Sequence, residues 1–188
     1  MENYKVKLKN IKAFAFDVDG VLTNGDVMCF PSGELVRKYD AKDGYGLRVA
    51  LINDYKIAII TGGEGDSIIK RFLPNLASEV YTSSRDKLPV FEEFCEKYSL
   101  KPSEVAYVGD DIPDIPVLIN CGLAVCPADA CEEVKAVCDY ISINNGGKGC
   151  ARELIEQVLK IQGKWRHDPK VYKEWREEKD KEYRKLFE

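Results

Sequence analysis

Short apolar runs alternate with helix-period stretches from one end of the chain to the other, and that alternation predicts most of the fold. Lys12–Asp17 (KAFAFD) reads as a strand followed by a loop containing Gly20. Val27–Phe30 and Glu34–Tyr39 flank Pro31-Ser32-Gly33, a turn between two strand-like runs, which predicts a β-hairpin over about residues 26–39. Asp43–Tyr55 fits a helix with Leu47, Ala50 and Leu51 facing inward. After it come a buried strand at KIAII, a helix over Asp66–Leu73, a strand at EVYT, a helix over Asp86–Tyr98 and the strand EVAYV. A helix over Ile112–Asn120, the strand LAVC, a short helix over Glu132–Val137, the strand DYISI and a helix over Ala151–Ile161 follow. Strands separated by helices predict an α/β protein with a doubly wound, mainly parallel sheet and right-handed crossovers. In such sheets ligands bind beyond the carboxyl ends of the strands, so the chemistry is sought there.

A length of 188 residues suits one domain, and 45% apolar content is enough for one core. The 32% of charged residues is high, and the excess is local. The segment 164–188 holds 9 Lys and Arg and 7 Asp and Glu, which leaves the body, residues 1–163, net acidic. An acidic body is not a nucleic-acid-binding surface. In the tail, Trp165, Tyr172, Trp175, Tyr183 and Phe187 sit among the charges; mixed sign and helical spacing favour an exposed or subunit-docking helix beginning near Pro169 over a base-stacking platform. No apolar h-region follows the first charges and no stretch approaches 18 apolar residues, so a cytoplasmic protein with no membrane span is expected. The 7 cysteines include no CxxC and read as reduced thiols; Cys121, Cys126 and Cys131 fit small buried side chains better than a metal site. His167, in the tail, is the sole histidine, which disfavours histidine triads and zinc catalysis.

Four strand ends carry candidate chemistry. The first runs into Asp17-Val18-Asp19-Gly20, where residues two apart on a strand share a side and two carboxylates converge. Their repulsion calls for a cation, and Mg2+ takes a few carboxylate oxygens plus waters and phosphate. Taken alone, the motif also fits an Asx-rich turn. KIAII runs into Thr61-Gly62-Gly63, a hydroxyl and free N–H groups that form a phosphate-sized anion site. EVAYV runs into Gly109-Asp110-Asp111-Ile112-Pro113-Asp114, a second acidic cluster, and Lys87 opens the helix after EVYT within reach of the same edge. Each alone is an ordinary turn or surface group; their joint occurrence in this order, each at its own strand exit, is not.

With these four motifs the chain resembles the haloacid dehalogenase-like superfamily of phosphohydrolases over about residues 10–163. The resemblance implies an HAD-like Rossmannoid fold and Mg2+ as cofactor. It implies that Asp17 is the nucleophile that forms an aspartyl-phosphate and that Asp19 is the general acid and base. Asp17, Asp19 and Asp110 would be placed at the metal, with Asp111 and Asp114 in support, and Thr61, Gly62 and Lys87 on the phosphoryl oxygens. Only 44 residues separate Asp17 from Thr61 and 26 separate Thr61 from Lys87, so neither interval holds a cap domain. Among capless branches the chain is most similar to the tetrameric phosphatases of 3-deoxy-D-manno-octulosonate 8-phosphate, through the hairpin, Asp43-Gly44-Tyr45-Gly46 with Arg48, IAIITGG, YVGDDIPD, and Asn145 to Gly149 with Arg152-Glu153. That likeness implies a homotetramer joined by hairpins and a step in lipopolysaccharide sugar biosynthesis. The implied substrate is a phosphorylated 3-deoxy-2-keto sugar acid, met by Asp40, Lys42, Asp43, Gly44, Arg48, Gly63 and Arg71, with Arg48, Arg71 and Lys42 as candidates for its carboxylate. A related group acting on nine-carbon sugar acid 9-phosphates carries Glu where this chain has Gly63. A non-catalytic module on the same scaffold and a general sugar or nucleotide phosphatase are the other classes; the full Asp17, Asp19, Lys87 and Asp110 set argues against the first of these.

Overall fold

Alternate residues of the first strand point to opposite faces, and both faces are apolar: Phe14 and Phe16 on one, Ala13 and Ala15 on the other, all fully buried. A strand with that pattern belongs inside a sheet covered by helices on both sides. In a computed structural model of the chain, which describes residues 3–73 and 75–165 together with Lys170, Lys173, Glu174 and Glu177, it lies there.

The elements are α1 (Tyr4–Lys7), β1 (Ala13–Phe16), β2 (Met28–Cys29), β3 (Leu35–Val36), α2 (Ala41–Ile52), β4 (Lys56–Ile60), α3 (Asp66–Phe72) and β5 (Glu79–Tyr81). After them come α4 (Lys87–Lys97), β6 (Val105–Val108), α5 (Ile115–Leu118), β7 (Leu123–Cys126), α6 (Glu132–Lys135), β8 (Tyr140–Ile141) and α7 (Cys150–Ile161). Six strands form one parallel sheet in the order β5-β4-β1-β6-β7-β8. The chain winds outward from β1 through β4 to β5, then crosses back to β6 on the other side. The carboxyl ends of β1 and β6 are therefore neighbours at the point where the winding reverses, where such sheets open a crevice.

Phe14 and Phe16 join one apolar cluster with Leu47, Ala50, Phe72 and Val158. Ala13 and Ala15 join the opposite cluster with Phe91, Phe94, Val117 and Val134. Phe14→Ala in such a core costs about 3–5 kcal/mol. Between β1 and β4 lie only the hairpin and α2, and between β4 and β5 only α3, so no cap covers the crevice. In the hairpin Met28 pairs with Val36 and Cys29 with Leu35, and Gly33 turns the chain at φ +84°. Its apolar side chains are not in the core: Met28 is 61% exposed, with Val27, Phe30, Leu35 and Val36 also exposed.

Four details depart from the sequence pattern. The helix expected from Asp43 begins at Ala41, because the Asp40 carboxylate accepts the Lys42 N–H at 2.6 Å and caps it. The helix expected over Ile112–Asn120 is a 3-10 turn at Ile112–Asp114 followed by α5, with Pro113 and Pro116 removing two backbone donors. The last strand is shortened to Tyr140–Ile141, the edge of the sheet, and the short α1 was not foreseen. Most of the expected tail helix lies outside the described residues; Lys170, Lys173, Glu174 and Glu177 are helical and exposed. No helix among the described residues is long and apolar enough to cross a membrane, and all 7 cysteines are unpaired.

Candidate active site

The strands deliver their next residues to one place. Asp17 follows β1, Thr61 follows β4, Asp110 follows β6 after Gly109, and Lys87 opens α4; with Asp19, Gly62, Gly63, Ser84, Arg85, Asp111 and Asp114 they line a cavity of about 480 Å³. A larger hollow of about 680 Å³ lies at the opposite end of the strands, lined by Lys9, Lys12, Lys101 and Lys164 with Asp54 and Glu104. It gathers no buried carboxyl group, and Lys12 there pairs with Glu104 at 2.6 Å.

At the floor of the first cavity, Lys87 Nζ lies 2.6 Å from Asp114 and 3.0 Å from Asp17, all three buried. Asp114 also accepts the Tyr107 hydroxyl at 2.6 Å and the N–H groups of Asp110 and Asp111. It thereby fixes the loop that presents Asp110, and a side chain at Gly109 would strike Asp114 at 2.4 Å. Burial and the charge of Asp114 push the Asp17 carboxyl up to about 7, against the opposing pull of Lys87. Burial and the charges of Asp17 and Asp114 push Asp110 up to about 8. Burial works against the charge of Lys87, yet Asp17 and Asp114 hold it above its ordinary value.

Asp17, Asp110 and Asp114 bring one oxygen each within 4.8 Å of one another. Asp110 Oδ1 is buried with no hydrogen-bond partner. Raised carboxyl groups, an orphaned oxygen and an all-oxygen donor set fit a hard divalent cation. Asp17 and Asp110 belong to the trio expected from the sequence, and the Asp19 carboxylate is not in this cluster of side-chain oxygens. The chain leaves β1 at Phe16, so the same-side rule for residues two apart no longer holds at Asp19, whose carboxylate turns to Arg37 (2.7 and 2.9 Å). Thr61 Oγ1 accepts the Gly63 N–H at 3.0 Å. Asp111 accepts the Ile112 N–H at 2.8 Å, and with Asp114 it starts the 3-10 turn.

The loop that carries Asp19 is clasped from far along the chain. Gly147 donates to the Val21 carbonyl at 2.9 Å, and a Cβ on Gly146 would lie 1.9 Å from the Gly20 oxygen. Only glycine fits there.

The residues expected around the sugar are not brought into this cavity. Asp43, buried and pushed up to about 6 by that burial, accepts the Gly149 and Arg152 N–H groups at 3.2 and 2.7 Å and so holds the start of α7. Asp40 caps α2, and Lys42 faces a separate hollow beside Lys148 and Arg152. Arg71 stacks 5.5 Å over the Tyr39 ring; burial, with the nearby charge of Arg48, lowers its pKa. A Cβ on Gly44 would meet Arg71 at 3.0 Å. Of the expected substrate contacts, Gly63 alone lines the cavity. Arg37, Ser84, Arg85 and Tyr107 were missed; for Arg37 the signal was period-2 alternation, which puts Arg37 and Tyr39 on one side of the hairpin arm and Val36 and Lys38 on the other.

A parallel sheet that presents an aspartate pair, a threonine, a lysine and an acidic loop at successive strand ends defines a phosphoryl-transfer class of hydrolase. Residues 51–154 match the haloacid dehalogenase-like hydrolase family, and the chain belongs to it. It is 38% identical over 158 residues, 84% of either chain, to 3-deoxy-D-manno-octulosonate 8-phosphate phosphatase KdsC of Escherichia coli K12. With the Yersinia pestis protein of that name it shares 34% over 155 residues, covering 82% of this chain and 83% of the relative. The crystal structure of the Moraxella catarrhalis 3-deoxy-D-manno-octulosonate 8-phosphate phosphatase, in complex with magnesium ion, phosphate ion and KDO, superposes with a TM-score of 0.83 at 33% identity, over 87% of this chain and 94% of that one.

Proposed function

We propose that the protein is a Mg2+-dependent phosphomonoesterase that converts 3-deoxy-D-manno-octulosonate 8-phosphate to the free sugar acid and phosphate, a step of lipopolysaccharide sugar biosynthesis. The observation that carries the chemistry is the cluster of Asp17, Asp110 and Asp114 around Lys87, with its orphaned Asp110 oxygen. The relatives just described support the substrate. Bound magnesium would supply positive charge that lets the Asp17 carboxylate and an anionic phosphate approach each other. Asp17 attacks phosphorus in line and the ester P–O bond breaks, leaving an aspartyl-phosphate. Asp19 gives its proton to the departing alkoxide and then takes one from the water that attacks phosphorus and frees Asp17. Thr61, the glycine N–H groups and Lys87 hold the phosphoryl oxygens where charge lies in the transition state.

Selectivity in this reading comes from self-association, with the exposed hairpin as the interface of a homotetramer in the cytoplasm. Its support is the run of apolar side chains from Val27 to Val36 facing solvent. Residues 1–163 form the catalytic body and 164–188 an appended docking segment. Trp165, at its start, packs on the body beneath the Arg152 guanidinium, 4.5 Å from the ring. Phosphate release with Mg2+ from the eight-carbon 8-phosphate and the nine-carbon 9-phosphate, run side by side, tests the reading. Higher kcat/KM for the eight-carbon ester and loss with EDTA are expected; preference for the nine-carbon ester, or equal rates across a phosphate-ester panel, overturns it.

A further inference from the structure

We infer that Arg37, carried on the base of the hairpin, is a positioning residue for Asp19 and that Gly63 is its required partner. The inference rests on the phosphatase reading and on Asp19 as its acid and base. Arg37 Nε and Nη2 grip both Asp19 oxygens at 2.7 and 2.9 Å, a bidentate geometry that fixes the plane of the carboxylate as well as its place. The Arg37 side chain is only 4% exposed, whereas Asp19, at 31%, still opens to the cavity. A surface ion pair would leave both partners free to wander; here one is embedded and the other is held at the rim. The hydrogen bond to Asp19 is the main cause that raises the Arg37 pKa, so the guanidinium stays charged throughout.

Gly63 makes room for this arrangement. A Cβ built there lies 2.8 Å from Arg37 Nη2, 3.2 Å from Thr61 Oγ1 and 3.4 Å from Asp19 Oδ2. A side chain at position 63 therefore meets the end of the Arg37 side chain, which must shift to admit it, although the Gly63 backbone itself is not in the left-handed region. Arg37 Nη1 is buried and has no hydrogen-bond partner among the described residues.

The test uses the full-length protein and two esters: the sugar acid phosphate, whose alkoxide needs a proton to leave, and p-nitrophenyl phosphate, whose phenolate does not. For Arg37→Ala, kcat on the sugar phosphate should fall about 100-fold with KM changed less than about threefold. On the aryl ester Asp17 should still be phosphorylated, so a burst of one nitrophenolate per site precedes a slowed steady state. Gly63→Ala should give the same pair of signatures with the charge intact, and Arg37→Lys should recover part of the rate. A merely structural ion pair would lower the melting temperature or the burst amplitude without separating the two esters. Loss of the nitrophenolate burst together with turnover, or unchanged kcat in folded Arg37→Ala and Gly63→Ala, overturns the inference. An inactive wild type would instead remove the phosphatase reading beneath it.

Discussion

Two regions of the molecule break the rule that apolar groups go inside and charges outside, and they break it in opposite senses. Beyond the sheet, Asp17, Lys87 and Asp114 are buried charges. On the hairpin, Met28, Phe30 and their neighbours are exposed apolar side chains. A buried charge is tolerated only when every partner is supplied, and the Asp110 oxygen shows that one is still owed. An exposed apolar ribbon with free edges is likewise incomplete by itself. Each region is legible as half of a contact: the first with a cation and phosphate, the second, in the proposed assembly, with another copy of the chain.

The largest break in this comparison is expected from Asp17→Asn. Turnover should fall by about 10⁴-fold or more, while the melting temperature holds or rises because one buried like charge is gone; phosphate release and circular dichroism check both halves. Asp114→Ala strips a partner from Lys87, Tyr107 and two backbone N–H groups at once. A loss of about 3–5 kcal/mol in denaturant unfolding is expected, with Tyr107→Phe costing far less. The next effect is a pH dependence. Asp17 and Asp110 sit at about 7 and about 8, above the ordinary carboxyl value, so without metal the folded state holds more protons than the unfolded one between those limits. Stability from this cluster is thus full at low pH and is lost as pH rises towards about 8. Magnesium should raise the melting temperature about 2–4 °C more at pH 8 than at pH 5.5, and an equal shift at both would count against the cluster as its site. The smallest effect on folding belongs to the hairpin. Met28→Asp with Val36→Lys should move protomer stability by no more than about 0.5 kcal/mol, yet shift sedimentation towards smaller species.

The same contrast explains what the sequence could show. The short apolar runs at β1, β4, β6 and β7 are covered on both faces, so their pattern needs no partner to be recognised. Asp17, Thr61 and Asp110 were readable because each follows such a run within two residues. Arg37 was readable only as one side of a hairpin arm, since its partner depends on how the hairpin folds back across 18 residues to Asp19. The hold of Asp43 on the start of α7, 106 residues away, was not legible either, because nothing nearby announces it. Pro113 and Pro116 did carry a local signal, and the break they impose between the 3-10 turn and α5 follows from their missing N–H groups.

The glycine clasp between residues 146–147 and the loop after Asp19 joins the beginning and the end of the catalytic body. During synthesis, a chain still short of that clasp already contains Asp17, Asp19, Thr61, Lys87 and Asp110, but the loop holding Asp19, the acid and base of the proposed mechanism, has no wall to close against. On the proposed mechanism hydrolytic competence arrives late, when the residues that form the clasp leave the ribosome, and a truncated translation product that retains every reactive side chain is expected to be inert.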